Sequence, residues 1–249
     1  MITLFSLPKP WEGHIKTIQW NALKSWTLLN PRPEIILFGG EAGTAAHCAL
    51  LGAVSVPEVE RNFCGTPLVS DVFKQAQAIA EHDQMLCVNT DIVLLGDFVK
   101  TLEVTKQLVG TPNLLMIGRR WDIDIQDPIN FDDEHWETKL RLQVAREGQQ
   151  HGEWGIDYFA FPRGLWKSIP PFAWGRLAWD NWLVADALAQ GFPVIDATDI
   201  LTVVHQNHDR SHYNGGLRNP EVRANYALMK HKLAGVKQAT YKLTYSSPK

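Results

Sequence analysis

The chain of 249 residues is poor in cysteine and in long apolar runs, and carries no excess of positive charge. No stretch approaches ~18 consecutive apolar residues, the length a membrane-spanning helix needs, so nothing in it reads as a transmembrane segment. Peripheral association with a membrane stays compatible with the sequence. The opening Met1-Ile-Thr-Leu-Phe-Ser-Leu-Pro-Lys has no basic segment ahead of its apolar residues and includes Pro8, which is not the pattern of a signal peptide. A formal net charge of −3 gives no electrostatic case for nucleic acid as a partner. Cys48, Cys64 and Cys87 are odd in number and lack paired spacing. Their apolar or small neighbours predict reduced, buried thiols in a cytoplasmic protein, not a disulfide framework or a zinc site. Internal repeats and low-complexity tracts are absent, which excludes solenoids and disordered linkers.

What is present is core-forming material. Hydrophobic residues make up 45% of the chain, enough for a sizeable interior, and the length fits one large α/β domain. Ile2 to Leu7 reads as a strand broken at Pro8. Ile15 to Leu29 has helical spacing and stops before Pro31. Glu34 to Phe38 and Ala53 to Val56 read as strands around an Ala-rich helix over Ala42 to Leu51. Val69 to His82 is amphipathic, and Met85 to Val88 is a further strand. Strands alternating with helices at this spacing predict βαβ units and a mainly parallel sheet. Further on, strands are expected at Leu114 to Gly118, Gly155 to Phe161, Pro193 to Asp196 and Leu201 to His205. Helices are expected at Thr138 to Glu147, Asp180 to Gln190 and Glu221 to Leu233.

Chemistry-bearing residues gather where these elements end. Asn89 and Asp91 lie two apart at the end of an apolar strand, so their oxygen-bearing side chains share one face. Oxygen ligands of that kind suit Mg²⁺ or Mn²⁺. A glycine stands in Trp154-Gly155-Ile156-Asp157, where backbone could approach a ligand closely. Asp180 opens a helix between Trp179, Asn181 and Trp182, and His205 closes an apolar strand ahead of His208 and His212. Ten tryptophans, clustered near Trp11 to Trp26 and Trp121 to Trp182, supply flat faces suited to sugars as well as to cores. Each feature also has a structural reading. Asp180 could cap its helix, His205 could be a hydrogen-bonded core residue, and Asp157 could face solvent. Arg119 and Arg120 could be a solvated pair or could neutralise phosphate.

In order along the chain, Asn89-Thr90-Asp91, Gly155-Ile156-Asp157, Trp179-Asp180-Asn181 and His205 resemble the signature set of the GT-A-fold glycosyltransferases, enzymes that use nucleotide sugars. The resemblance covers roughly residues 1–215 and is strongest after residue 154. It implies a GT-A-like (Rossmann-like), mixed but mainly parallel sheet flanked by helices in a single domain. The catalytic domain would span 1–215, with a donor-binding half over about 1–118 and an acceptor-side half over about 119–215. A helical extension would follow over 216–249. By the same resemblance, Asp91 would ligate Mn²⁺ or Mg²⁺ at the donor diphosphate. Asn89 would ligate the ion or touch the ribose, and His205, with His208 as a further candidate, would complete the site. Arg119 and Arg120 would face the donor. Trp154, Gly155, Asp157, Trp179, Asn181 and Trp182 would border the acceptor, and Asp180 would be the general base of an inverting transfer. The partners would be a UDP- or GDP-linked sugar and a glycan, lipid or small-molecule acceptor. Asn89 departs from the family's usual aspartate, which keeps a non-catalytic nucleotide-sugar-binding relative in view. A sugar-phosphate nucleotidyltransferase is the remaining alternative, on the faint echo of a glycine-rich loop in Gly39 to Ala45.

Overall fold

The computed structural model describes residues 1–208, 216–229 and 232–245; His212 lies outside them. The central sheet has eight strands in the order β12-β10-β6-β9-β4-β1-β2-β3. They are β1 (Thr3–Ser6), β2 (Glu34–Phe38), β3 (Val54–Val56), β4 (Gln84–Val88), β6 (Leu115–Ile117), β9 (Tyr158–Pro162), β10 (Val194–Asp196) and β12 (Tyr241–Lys242). All pair in parallel except β9, which runs antiparallel to both β4 and β6. A second sheet, in the order β5-β11-β7-β8, joins β5 (Ile92–Val93), β11 (Val204–Gln206), β7 (Trp121–Ile123) and β8 (Gln149–Gln150). This is the expected mixed, mainly parallel sheet flanked by helices in a single domain.

Strands covered on both faces read as unbroken apolar runs, because successive side chains enter opposite layers. In β1, Leu4 enters one layer and Phe5 the other; in β4, Leu86 and Cys87 divide in the same way. Helices α1 (Gly13–Thr27), α2 (Thr44–Leu51) and α4 (Phe98–Val109) cover the Leu4 side through Ala22, Leu23, Trp26, Leu51, Phe98 and Leu102. Helices α3 (Val69–Ile79) and α6 (Trp179–Ala189) cover the Phe5 side. In α3 the buried Val69, Val72, Phe73 and Ala76 recur at helical spacing, and Phe5, Phe73 and Phe161 pack edge-on and stacked beneath them. Helix α5 (Trp136–Glu147) closes a smaller third layer on the second sheet through Leu140 and Val144.

Helix α4 has no counterpart in the sequence reading. Its inward Phe98, Val99 and Leu102 are accompanied by exposed Val104 and Leu108, which blur the amphipathic pattern. The C-terminal segment supplies α7 (Pro220–Leu228), capped by Asn219, and the edge strand β12. One cysteine departs from expectation. Cys48 and Cys87 are buried, but Cys64 is exposed in a tight turn in which Asn62 Oδ1 accepts from the Cys64 and Thr66 amides. No helix among the described residues is long and apolar enough to cross a membrane.

Candidate active site

Strand pairing assembles the site. The β4–β9 register sets Val88 against Tyr158, and the next residues outward are Asn89 and Asp157. The Asn89 amide donates to the Asp157 carbonyl at 3.0 Å, and Asn89 Nδ2 donates to Asp157 Oδ1 at 2.6 Å. The carbonyl of Asp91 accepts from the backbone and side-chain nitrogens of Gln206 at 3.1 and 3.2 Å, which fixes Asp91 beside β11. Gln206 is in turn held by Asn21 of α1 at 2.9 Å. Finally, the β11–β7 register sets His205 against Asp122. Three pairings from distant parts of the chain therefore bring Asn89, Asp157, Asp91, His205 and Asp122 to one spot.

There, ligating atoms of Asp91, His205 and His208 all lie within 4.8 Å of one another. His208 Nε2 is 3.1 Å and His205 Nε2 3.8 Å from Asp91 Oδ2. The other carboxylate oxygen, Asp91 Oδ1, is buried without a hydrogen-bond partner among the described residues. Orphaned buried oxygens are costly, and a carboxylate beside two imidazoles is a donor set that fits a divalent cation. Burial alone would push the Asp91 carboxyl up. Attraction to His205, the His208 hydrogen bond and charge, and Lys9 outweigh it and hold the group well below the usual range, ready as a ligand. Asn89 has spent its amide nitrogen on Asp157, so its carbonyl oxygen is what it has left for a cation.

Asp122 and His151, which the sequence reading did not single out, knit this cluster together. Asp122 Oδ1 lies 3.0 Å from His205 Nδ1, an ion-pair contact short of hydrogen-bond alignment, and accepts from Arg120 Nε at 2.8 Å; its Oδ2 meets His151 Nδ1 at 2.6 Å. Burial opposes its charge, but His205, Arg120 and His151 together hold its carboxyl well below the usual range. Arg120 also pairs with Asp157, so Asp157 is buried and bonded, not facing solvent. The signal for Asp122 was slight: a lone acid in a three-residue strand, too short for an alternation to show. Arg119 points elsewhere. Neighbouring residues of an extended segment face opposite ways, and Arg119 Nε donates to the His151 carbonyl at 2.6 Å outside the cleft wall.

Asp180 sits in the first turn of α6. It is not the cap, which is Ala178 in the left-handed region with φ 90°. A non-glycine residue there carries strain of about 1–2 kcal/mol, and it sets the entry of Trp179 and Asp180 into the helix. Asp180 Oδ1 accepts from the Asn181 amide at 2.9 Å. Burial, with repulsion from Asp157, outweighs that bond and Arg120, and the Asp180 carboxyl is pushed up to about 7. Trp179 stacks on Trp174 with centroids 5.0 Å apart. Asn181 Nδ2 ties the carbonyls of Trp154 and Ala234 at 3.3 and 3.2 Å. Trp182 does not border the site: two residues on from Asp180, and so on the opposite face of the helix, it packs on Phe172 in the core. The space that a Cβ on Gly155 would take is filled by the His151 ring, so this glycine admits a side chain of the site itself.

Of the described residues that the resemblance assigns to the site, every one except Arg119 and Trp182 lines one cleft of about 940 Å³, together with Asp122 and His151. A second cavity of about 640 Å³ adjoins it and shares Asn89, Asp91, Trp174, Gly175 and Arg176; Leu7 to Pro10, Glu12, Glu41 and Arg61 are among its other lining residues. Between the two, the 173–177 segment is clamped by α7. Arg176 pairs with Glu221 at 2.8 Å, and Asn225 bonds the Ala173 amide at 2.9 Å and the Leu177 carbonyl at 3.0 Å.

Both cavities open beyond the carboxyl ends of parallel strands, where open α/β sheets take their ligands, and the architecture is the GT-A fold. A glucosyl-3-phosphoglycerate synthase from Mycobacterium tuberculosis, solved with Mn²⁺, UDP and glucosyl-3-phosphoglycerate, superimposes with a TM-score of 0.54 at 16% identity, over 92% of this chain and 78% of that one. A mannosyltransferase from Pyrobaculum calidifontis, solved with GDP-Man and Mn²⁺, superimposes with a TM-score of 0.52 at 15% identity, over 85% of this chain and 58% of that one. No protein-family model and no curated protein sequence matches the chain. At these identities the likeness establishes the fold.

Proposed function

We propose that the chain is a metal-dependent glycosyltransferase that moves a sugar from a UDP- or GDP-linked donor to an acceptor hydroxyl with inversion. The observation that carries the reading is the convergence of Asp91, His205 and His208 within 4.8 Å in the cleft that Asp180 also lines. Both structural neighbours named above were solved with Mn²⁺ and a uridine or guanosine diphosphate compound, which supports the same class.

Asp91, His205 and His208 would hold the cation. Two imidazoles beside one carboxylate favour Mn²⁺ over Mg²⁺, which prefers oxygen throughout. When bound, the ion supplies Lewis-acid neutralisation of the charge that develops on the leaving diphosphate. The adjoining cavity, with Lys9 in its wall and Arg61 in an exposed pair with Glu41 at 3.4 Å, would take the nucleotide, so that the diphosphate reaches the shared Asn89 and Asp91. Asn89 holds Asp157 in place. Asp157 in turn helps keep the Asp180 carboxyl near neutrality, where a general base works best at physiological pH. Asp180 takes the proton of the acceptor hydroxyl as that oxygen bonds to the anomeric carbon; the bond from that carbon to the diphosphate oxygen breaks, and its electron pair leaves with the diphosphate. The unpaired thiols of Cys48, Cys64 and Cys87 are in keeping with a cytoplasmic setting.

The test is release of nucleoside diphosphate from a panel of UDP- and GDP-hexoses with Mn²⁺ and a set of glycoside and alcohol acceptors to receive the sugar. Release is expected from the natural chain and should fall at least a hundredfold in Asp91→Ala and Asp180→Ala, on the order of what loss of a metal ligand or a general base costs. Full release in either variant, its fold intact by circular dichroism, contradicts the assignment. Binding without any turnover would favour the non-catalytic relative.

A further inference from the structure

The transferase reading leaves the acceptor open, and the part of the cleft that the second cavity does not share bears on it. Trp154, Trp179, Asp180, Tyr226 and Leu233 line that part. Trp154 is the one exposed tryptophan of the ten in the chain, with 54% of its surface open. Its loop is nevertheless well anchored. The Trp154 carbonyl accepts from Asn181 Nδ2, the Glu153 carbonyl accepts from the Val236 amide at 3.0 Å, and the Gly155 amide donates to the Gly152 carbonyl at 3.2 Å. A pinned backbone that leaves an indole in water presents a flat apolar face at the mouth of a polar cleft.

Charge selects among ligands for that face. Among the described residues lining the cleft there is no lysine, and both arginines are already paired: Arg120 with Asp122 and Asp157, Arg176 with Glu221. Four carboxylates, those of Asp91, Asp122, Asp157 and Asp180, line the same cleft. An acceptor bearing phosphate or carboxylate would find no unpaired arginine among the described lining residues and would face the donor's diphosphate across the cleft. A neutral ring with C–H groups on one face and hydroxyls at its edge meets the opposite situation. Its C–H face covers the indole while a hydroxyl reaches Asp180.

Resting on the transferase reading, we infer that the acceptor is a neutral saccharide whose ring stacks on Trp154, and not a phosphorylated or carboxylated small molecule. The step is unchanged: the sugar hydroxyl of the stacked ring loses its proton to Asp180 as its oxygen bonds to the anomeric carbon and the nucleoside diphosphate departs.

The experiment uses the whole chain with UDP or GDP, whichever binds, loaded with Mn²⁺ for calorimetry and with diamagnetic Mg²⁺ for NMR. Saturation-transfer NMR and calorimetry are run against methyl glycosides and disaccharides of neutral hexoses, with glycerate 3-phosphate as the anionic probe. Binding of at least one neutral glycoside is expected, with saturation on its ring C–H protons. Trp154→Ala should weaken it by about tenfold or more, Trp154→Phe should restore most of it, and affinity for the nucleotide with Mn²⁺ should not move. Tighter binding of glycerate 3-phosphate than of every neutral glycoside overturns the inference. So does a neutral glycoside that binds equally well to Trp154→Ala, and so does binding by no glycoside while the nucleotide still binds. Failure of both nucleotides to bind with Mn²⁺ would overturn the transferase reading and the inference with it.

Discussion

Asp180 keeps its proton until about pH 7 because its carboxyl is buried and faces Asp157. If that carboxylate is the base, kcat/KM rises with pH through about 7 and then levels, since only the ionised form accepts the proton. A pH profile with no acidic limb between about 6 and 8 would contradict the role. The same shift has a sign for stability. The folded value stands above the unfolded 3.8, so the native state favours the protonated form. The associated stability is fully present below the unfolded value and is lost as pH rises through about 7. Asp180→Asn, always neutral, should therefore melt higher than the natural chain at pH 8, by on the order of 2 kcal/mol, and nearly equal to it at pH 4. Equal melting at both values would show that the carboxyl is not perturbed. Asp91 and Asp180 could be singled out in the sequence because each stands at the end of a regular element, where side chains of an α/β protein meet ligands. His205, expected to close a strand over Leu201 to His205, is instead the middle residue of β11 (Val204–Gln206), and its polar ring in an apolar run was the signal. Asp122 and His151 could not, since their importance comes from pairing with residues far along the chain.

Between elements, the β11–β7 pairing does for His205 what a strand end alone cannot. Register delivers Asp122 to His205 Nδ1 and leaves Nε2 turned toward Asp91. A histidine ligand oriented by a carboxylate behind it loses about 10- to 100-fold in metal affinity when that carboxylate is removed. Asp122→Asn should weaken Mn²⁺ by that amount in calorimetry with the nucleotide present, while Asp122→Glu recovers part of it. Unchanged affinity in Asp122→Asn would mean that packing alone orients His205. Several elements were readable because burial on both faces makes strands such as Glu34 to Phe38 continuous in sequence. Helix α4 was not, with Val104 and Leu108 exposed against its apolar face, nor were β7 and β8, at three and two residues.

For the molecule as a whole, alternating strands and helices predicted a mainly parallel sheet, and that is the sheet observed. The antiparallel course of β9 was not legible, because direction depends on where the chain re-enters the sheet and not on the composition of the strand. Nor was the pairing of β12, whose exposed Tyr241 and Lys242 carry no strand-like apolar signal. The two adjoining cavities meet at Asn89 and Asp91, so nucleotide and cation should stabilise the fold jointly. UDP or GDP with Mn²⁺, at about a hundred times Kd, should contribute about 2.7 kcal/mol and raise Tm by several degrees, while either alone should contribute less. Equal shifts with and without Mn²⁺ would separate the nucleotide site from the Asp91 cluster.

The claim on which the rest stands is that Asp91, His205 and His208 hold one divalent cation. Electron spin-echo spectroscopy of Mn²⁺ bound together with UDP or GDP reads it most directly, because imidazole nitrogen on the ion modulates the echo. The natural chain should show ¹⁴N coupling from two histidines, reduced to one in His205→Gln and in His208→Gln, with Asp91→Asn binding Mn²⁺ at least tenfold more weakly. Bound Mn²⁺ without nitrogen coupling, or coupling untouched by both histidine substitutions, would contradict the account.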